Sequence, residues 1–198
     1  MSYEKEIKEV LSSGKDELDK KIEIIAIVTS AIEENLNIKP VVVGGQAVEF
    51  YTTGGYSTMD IDIICESSIA DIDEILSDLG FTRNQKYWVY DDEELELAIE
   101  VPSGPLAGDK ERITKVHTPN GHTAYFIGIE DILIDRLNAY AHWKENWQEE
   151  WILGMMILNY DEIDWDYIQN RAKNELVEDN LNELKYKAKK VIENDIDI

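Results

Sequence analysis

The sequence predicts an α+β protein: a small mixed-sheet core flanked by an N-terminal helix and a C-terminal helical domain. Three observations carry this. The stretch "KDELDKKIEIIAIVTSAIEENL" repeats apolar residues at helical spacing before any strand-like run begins. Short apolar runs, separated by glycine, proline and helix-capping signals, then fill the middle of the chain. From Glu130 onward the pattern is helical to the end. The expected divisions are 1–36 for the N-terminal helical segment, 37–128 for the α/β core and 129–198 for the helical domain.

Taken in order, residues 3–36 read as helix, broken near Ser12-Ser13-Gly14, with Leu18, Ile22, Ile25, Val28 and Ile32 on one stripe. Pro40 stops the helix, and Val41-Val42-Val43 reads as a short buried strand. Residues 46–52 look helical, Gly54-Gly55 ends that element, and "TMDIDIIC" reads as a second strand. In "SSIADIDEILSDLG" Ser67 or Ser68 caps a helix, acids fill its first turn and Gly80 closes it. Strand-like pieces follow at 86–90, 95–101, 112–117 and 123–127, with a turn at Pro119-Asn120-Gly121. In the tail, Trp143, Trp147 and Trp151 fall at spacings of four, as on a helix packing face.

Composition narrows the function classes. At 198 residues and 43% hydrophobic, the chain can build a proper core. The lone Cys65 excludes an intramolecular disulfide and a four-cysteine zinc cluster. No signal-peptide-like segment and no bilayer-length apolar run is present, so a soluble cytoplasmic protein without membrane contact is the expectation. Lys and Arg number 19 against 42 Asp and Glu, a net charge of −23. That field repels nucleic acid, so an RNA partner would need a local basic patch. "DKERITKVH" and "LKYKAKK" are the two candidates, although lysines on an amphipathic terminal helix more often form a solvated face. Neither a Walker loop nor a Gly-x-Gly-x-x-Gly fingerprint occurs.

The chemistry concentrates in "VVVGGQAVEFYTTGGYSTMDIDII". On a strand, Asp60 and Asp62 point to one face while Ile61 and Ile63 point to the other. Two adjacent carboxylates repel unless something positive lies between them, and a hard divalent cation with oxygen ligands answers that need. Upstream, Gly44-Gly45 between a strand and a helix lets backbone approach a phosphate at free helix N–H groups, and Ser57 and Thr58 add hydroxyls. An anion cradle beside a metal cage suits a nucleoside triphosphate carried on Mg²⁺. Asp-Ile-Asp also occurs at 71–73, within a helix, and at 195–197, near the terminus. Only the copy at 60–62 has the double glycine, the hydroxyls and strand-like flanks.

This arrangement resembles the DNA polymerase β-type nucleotidyltransferase superfamily: apolar strand, Gly-Gly, short helix, then Asp-apolar-Asp on the next strand. Fourteen residues, Gln46 to Met59, separate Gly45 from Asp60, as in the branch that includes abortive-infection-type toxin nucleotidyltransferases. Members of that branch often carry Arg before the acids, where this chain has Tyr56. The resemblance implies a third carboxylate on a later strand. "ELELAIEVPSGPL" offers Glu100, with Glu96 on the same face as the alternative.

The implied activity is transfer of a nucleoside monophosphate from an NTP, ATP among them, to an unidentified acceptor (RNA, protein or small molecule). Asp60, Asp62 and Glu100 would be catalytic and would hold two Mg²⁺ or Mn²⁺ ions. Gly44, Gly45, Gln46, Ser57 and Thr58 would bind the nucleotide. "GIEDILIDRLNAYAHWK" continues the resemblance. Its Asp135 and Arg136 either orient the nucleotide or form a helix-packing ion pair, and its Lys144 either meets a triphosphate or faces solvent. His117, His122 and His142 lack metal-ligand spacing and read as non-catalytic; Cys65 reads as a buried thiol. A catalytically silent nucleotide-binding or regulatory module of the same fold is the alternative, and a toxin that needs a protein partner is a subtype.

Overall fold

The computed structural model describes residues 2–92 and 95–194, and the Asp-Ile-Asp copy at 195–197 lies outside the described residues. The chain divides into two compact units. The first holds residues 1–47 and 57–127, the second 48–56 and 128–198. The N-terminal helices fall in the first unit, as does the sheet.

In the first unit, α1 (Tyr3–Leu11) and α2 (Glu17–Leu36) are separated at Ser12-Ser13-Gly14, as the sequence predicts. Asp16 starts α2 by accepting the Asp19 backbone N–H, and Asn37, in the left-handed region at φ +54°, ends it. The expected single stripe on α2 needs correction. Every residue from Glu23 to Thr29 is buried, whereas Leu18 and Ile22 are only half-buried. The helix is covered by α1, by α4 (Ile69–Asp78) and by the strand β7 (Thr123–Phe126), so its middle, from Glu23 to Thr29, is buried all round while its ends keep exposed residues.

The other strands are β1 (Val41–Val43), β2 (Asp60–Ile64), β3 (Thr82–Asn84), β4 (Tyr87–Tyr90), β5 (Leu97–Glu100) and β6 (Thr114–His117). They form one seven-stranded mixed sheet in the order β3-β4-β5-β2-β1-β7-β6. Two pairings are parallel, β1 with β7 and β2 with β5; the rest are antiparallel. Trp88, Ile99 and Ile61 stand in one row across three strands, all buried. Trp88 Nε1 donates to Asp73 on α4 at 2.8 Å, so α4 lies on that face of the sheet. The acids of β2 and β5 therefore occupy the reverse face. Ser68 caps α4 by accepting the Asp71 N–H, and Gly80 follows it at φ +94°.

The second unit is helical: α5 (Ile129–His142), α6 (Gln148–Leu158), α7 (Trp165–Asn174) and α8 (Glu178–Glu193), with Val48–Tyr51 contributed by α3 (Gly44–Tyr51). Leu137, Ile152, Met155, Ile168, Leu181 and Leu184 are fully buried between these helices. Each such side chain contributes roughly 1.5–3 kcal/mol through burial. Asp131 is also buried, and it accepts from Arg171 Nη1 and the Tyr167 hydroxyl, both at 2.8 Å. The tryptophans do not share one packing face. Trp143 and Trp147 flank the α5–α6 connection and are 77% and 54% exposed, because the helix breaks between them. Trp151 meets the Tyr56 ring edge-on at 5.1 Å, and Trp165 lies under the Lys185 ammonium at 4.1 Å.

Candidate active site

Gly44 follows β1 directly and carries φ +63°, a region that costs an L-residue about 1–2 kcal/mol. A Cβ placed there would lie 2.2 Å from Oδ2 of Asp62, so the position requires glycine on two counts. The glycines are not a linker ahead of a helix beginning near 46: α3 starts at Gly44 itself. The backbone N–H groups of Gly44, Gly45 and Gln46 thus belong to its first turn, the end that has no intrahelical acceptor. Gln46 is fully buried, and neither polar atom of its side-chain amide has a hydrogen-bond partner among the described residues.

Along β2 the predicted alternation holds. Ile61 and Ile63 are buried, Asp60 is exposed and Asp62 half-buried. Asp62 is in register with Val43 on one side and with Glu100 on the other. Strands so paired lie about 4.8 Å apart, which sets Asp62 between the β1–α3 turn and the third carboxylate. Glu96 is exposed and lies outside β5, so Glu100 is the acid that shares the row.

The side chains do not close on a common point. Both Glu100 oxygens accept from Lys86 Nζ, at 2.9 and 2.7 Å. That bond, and then one with Tyr87, holds the Lys86 ammonium above its ordinary pKa. Among the described residues no group of three or more Asp, Glu, His or Cys side chains is gathered as a cation would require. The donor chemistry, two aspartates and a glutamate in neighbouring register, still fits a hard divalent cation, and the bare Gly44 leaves Asp62 its room. In the observed arrangement Glu100 is turned onto Lys86.

Thr58 Oγ1 accepts the backbone N–H of Asp60 at 3.2 Å, fixing the entry to β2, while Ser57 is exposed. A residue that sequence reasoning missed also acts here. Lys21, whose side chain is 1% exposed, donates from Nζ to the Thr58 carbonyl at 2.9 Å and pairs with Glu17 at 2.7 Å. Burying an ammonium is costly unless it is hydrogen-bonded, and these bonds tie α2 to the segment that presents the acids. The available signal was position: Lys21 lies one turn before Ile24 and Ile25, on the buried side of the helix.

Arg136 and Lys144 belong to the second unit. Arg136 Nη2 pairs with the adjacent Asp135 at 2.7 Å, and its Nε is buried without a hydrogen-bond partner among the described residues. Lys144 is exposed just past α5 at φ +58°. The histidines have other partners: His117 Nδ1 meets Thr123 Oγ1 at 2.9 Å, His122 Nε2 meets Glu6 at 2.7 Å, and His142 Nε2 meets the Glu175 carbonyl at 3.1 Å. Cys65 is buried, and burial pushes its thiol up to about 11. Within the basic segments, Lys110 pairs with Glu66 at 2.8 Å, and Lys187 with Glu149 and Glu183, each at 2.7 Å. No helix among the described residues is long and apolar enough to cross a membrane.

The crystal structure of an antigenic nucleotidyltransferase-like protein from Paracoccidioides brasiliensis is similar to this chain, with a TM-score of 0.52. The match covers 87% of this chain and 93% of that one at 18% identity, and it bears on fold alone. Weaker similarity extends to the antibiotic-resistance factor ANT(2'')-Ia, with a TM-score of 0.47 at 14% identity over 89% of this chain and 98% of that one. For JHP933 from Helicobacter pylori the TM-score is 0.38, at 13% identity over 90% and 94%. No curated protein matches the chain. The family described as "Nucleotidyltransferase of unknown function (DUF6036)" matches residues 19–196, and the chain belongs to that family, with the nucleotidyltransferase-like fold that its double glycine and paired aspartates led one to expect.

Proposed function

We propose that the protein transfers a nucleoside monophosphate from an NTP to an acceptor, releasing pyrophosphate. The observation that supports this most directly is the row Val43–Asp62–Glu100, in which Asp62 packs against the bare backbone of Gly44 at the start of α3 and stands beside a third carboxylate. In the transfer, an acceptor oxygen forms a bond to the α-phosphorus and the bond from that phosphorus to the α–β bridging oxygen breaks. The leaving pyrophosphate keeps the electron pair. Asp60, Asp62 and Glu100 would hold Mg²⁺ or Mn²⁺, which supplies charge neutralisation on the phosphates. The first turn of α3 would offer its backbone N–H groups to a phosphate, and Glu100 would receive the acceptor's proton on its way to solvent. Thr58 and Lys21 hold the backbone at the entry to β2, the strand that carries Asp60 and Asp62.

A second reading, a silent nucleotide-binding module of the same fold, is favoured by one observation: both Glu100 oxygens are taken up by Lys86. Calorimetry of the four NTPs with Mg²⁺, on the wild type and on Asp60→Asn/Asp62→Asn, tests both. Metal-dependent binding by the wild type, weakened at least about tenfold in the double variant, is expected where two charge-assisted contacts are lost. Failure of both proteins to bind any NTP would remove the substrate. Binding without pyrophosphate release, whatever acceptor is offered, would favour the silent module. A cytoplasmic setting, an RNA acceptor and a toxin role with a protein partner are the extensions that acceptor screening would follow.

A further inference from the structure

The third carboxylate of the acid face already has a cation. Lys86 is the second residue of the two-residue turn that joins β3 to β4, where Asn84 and Tyr87 are in register. Tyr87 in turn stands opposite Glu100 on β5. The Lys86 stem crosses the Tyr87 ring, its Nζ 4.7 Å from the ring centre, and ends against both Glu100 oxygens. Strand register therefore directs this ion pair, unlike a chance meeting of two long side chains. The two ends differ in freedom: the Glu100 side chain is 22% exposed and that of Lys86 60%.

A divalent cation would need the same oxygens. Mg²⁺ binds carboxylate oxygen at about 2.1 Å, and an ammonium within hydrogen-bond distance of both oxygens fills the same approach. Two cations cannot share it, so a metal that takes Glu100 releases Lys86. The released ammonium stays tethered to the turn on a flexible stem with three donors. A polyphosphate on this face would offer the released ammonium charge-assisted contacts in place of those to Glu100.

We propose that Lys86 is an exchangeable counter-cation, which neutralises Glu100 before a divalent cation binds and moves to a phosphate group of the nucleotide when the cation takes the carboxylate. This rests on the reading of Asp60, Asp62 and Glu100 as metal-binding acids. Lys86 is thus a positioning residue that both withholds the site from metal alone and helps retain metal with phosphate.

The experiment uses two probes on the full chain: Mn²⁺ alone, and inorganic tripolyphosphate at saturating Mg²⁺. Four proteins are compared by calorimetry: wild type, Lys86→Met, Lys86→Arg and Asp60→Asn/Asp62→Asn. Lys86→Met should bind Mn²⁺ about two- to fivefold more tightly, the range that a largely exposed ion pair can withhold. The same variant should bind tripolyphosphate about five- to tenfold more weakly, having lost a charge-assisted contact. Lys86→Arg should stay close to wild type on both probes. The opposite signs are the signature, since a purely structural role would move both affinities one way. If the wild type binds Mn²⁺ through the aspartates and Lys86→Met matches it on both probes, the exchange is refuted while the metal site stands. If wild type and Asp60→Asn/Asp62→Asn bind Mn²⁺ equally, the metal reading falls and the exchange with it.

Discussion

At the residue scale, the most demanding position is Gly44, because backbone conformation and a neighbouring carboxylate both reject a side chain there. Gly44→Ala should stay folded with a lower melting temperature, since the left-handed conformation alone costs about 1–2 kcal/mol. The larger effect should be functional. The Asp62 carboxylate must leave its place, and Mg²⁺-dependent nucleotide binding should fall about tenfold or more, a loss of one charge-assisted contact. Gly14→Ala is the control, as a Cβ at Gly14 meets nothing within 4 Å and should be neutral in both respects. Retained nucleotide binding by Gly44→Ala would separate the glycine from the acids and undo the argument. Much of this residue-level chemistry was legible in the sequence, because alternation sets the faces of Asp60, Ile61, Asp62 and Ile63 by geometry alone. Lys21 was not, because a lysine on a helix is ordinarily a solvent residue, and only the tertiary packing around α2 buries it.

At the element scale, the helices were legible where local signals agree. Ser68, Asp71 and Gly80 each act at α4 as their types demand. The strand β3 was not legible. It has three exposed residues, Thr82-Arg83-Asn84, and its turn, Gln85-Lys86, lacks the glycine or asparagine by which hairpins announce themselves. Gln85 nonetheless adopts φ +58°, held by Arg83 Nε donating to its carbonyl at 3.2 Å. Relief of that conformation predicts that Gln85→Gly stabilises the protein by a few tenths to about 1 kcal/mol. Chemical denaturation checks this, and a loss of stability would mean that the Gln85 side chain contributes more than its backbone costs. The hairpin matters beyond its size, since the register of β4 on β5 is what carries Lys86 to Glu100.

At the scale of the whole molecule, an excess of acid shapes what holds the first unit together. Two tyrosines deliver their hydroxyls to neighbouring glutamates on α2: Tyr3 from α1 to Glu34 and Tyr125 from β7 to Glu33, each at 2.5 Å. Burial first, then the hydrogen bond and charge of the glutamate, push both phenols from 10 up to about 12. The sign follows from linkage. A phenol that holds its proton more tightly when folded stabilises the fold fully below its unfolded value, and that stability is lost as pH rises through the folded value. The melting temperature should therefore fall between pH 10 and about 12, as the phenol protons that folding retains are given up. Lysine deprotonation deepens the net negative charge over the same window, so self-repulsion adds to the loss. Salt separates the two causes. Near 1 M NaCl the screening length shrinks to about 3 Å, which should recover the repulsive part and leave the tyrosine part in place. Tyr3→Phe/Tyr125→Phe should start less stable at neutral pH and show a shallower alkaline decline at high salt. An equally steep decline in that variant would assign alkaline unfolding to net charge alone, and the two glutamates of α2 would then be incidental to it.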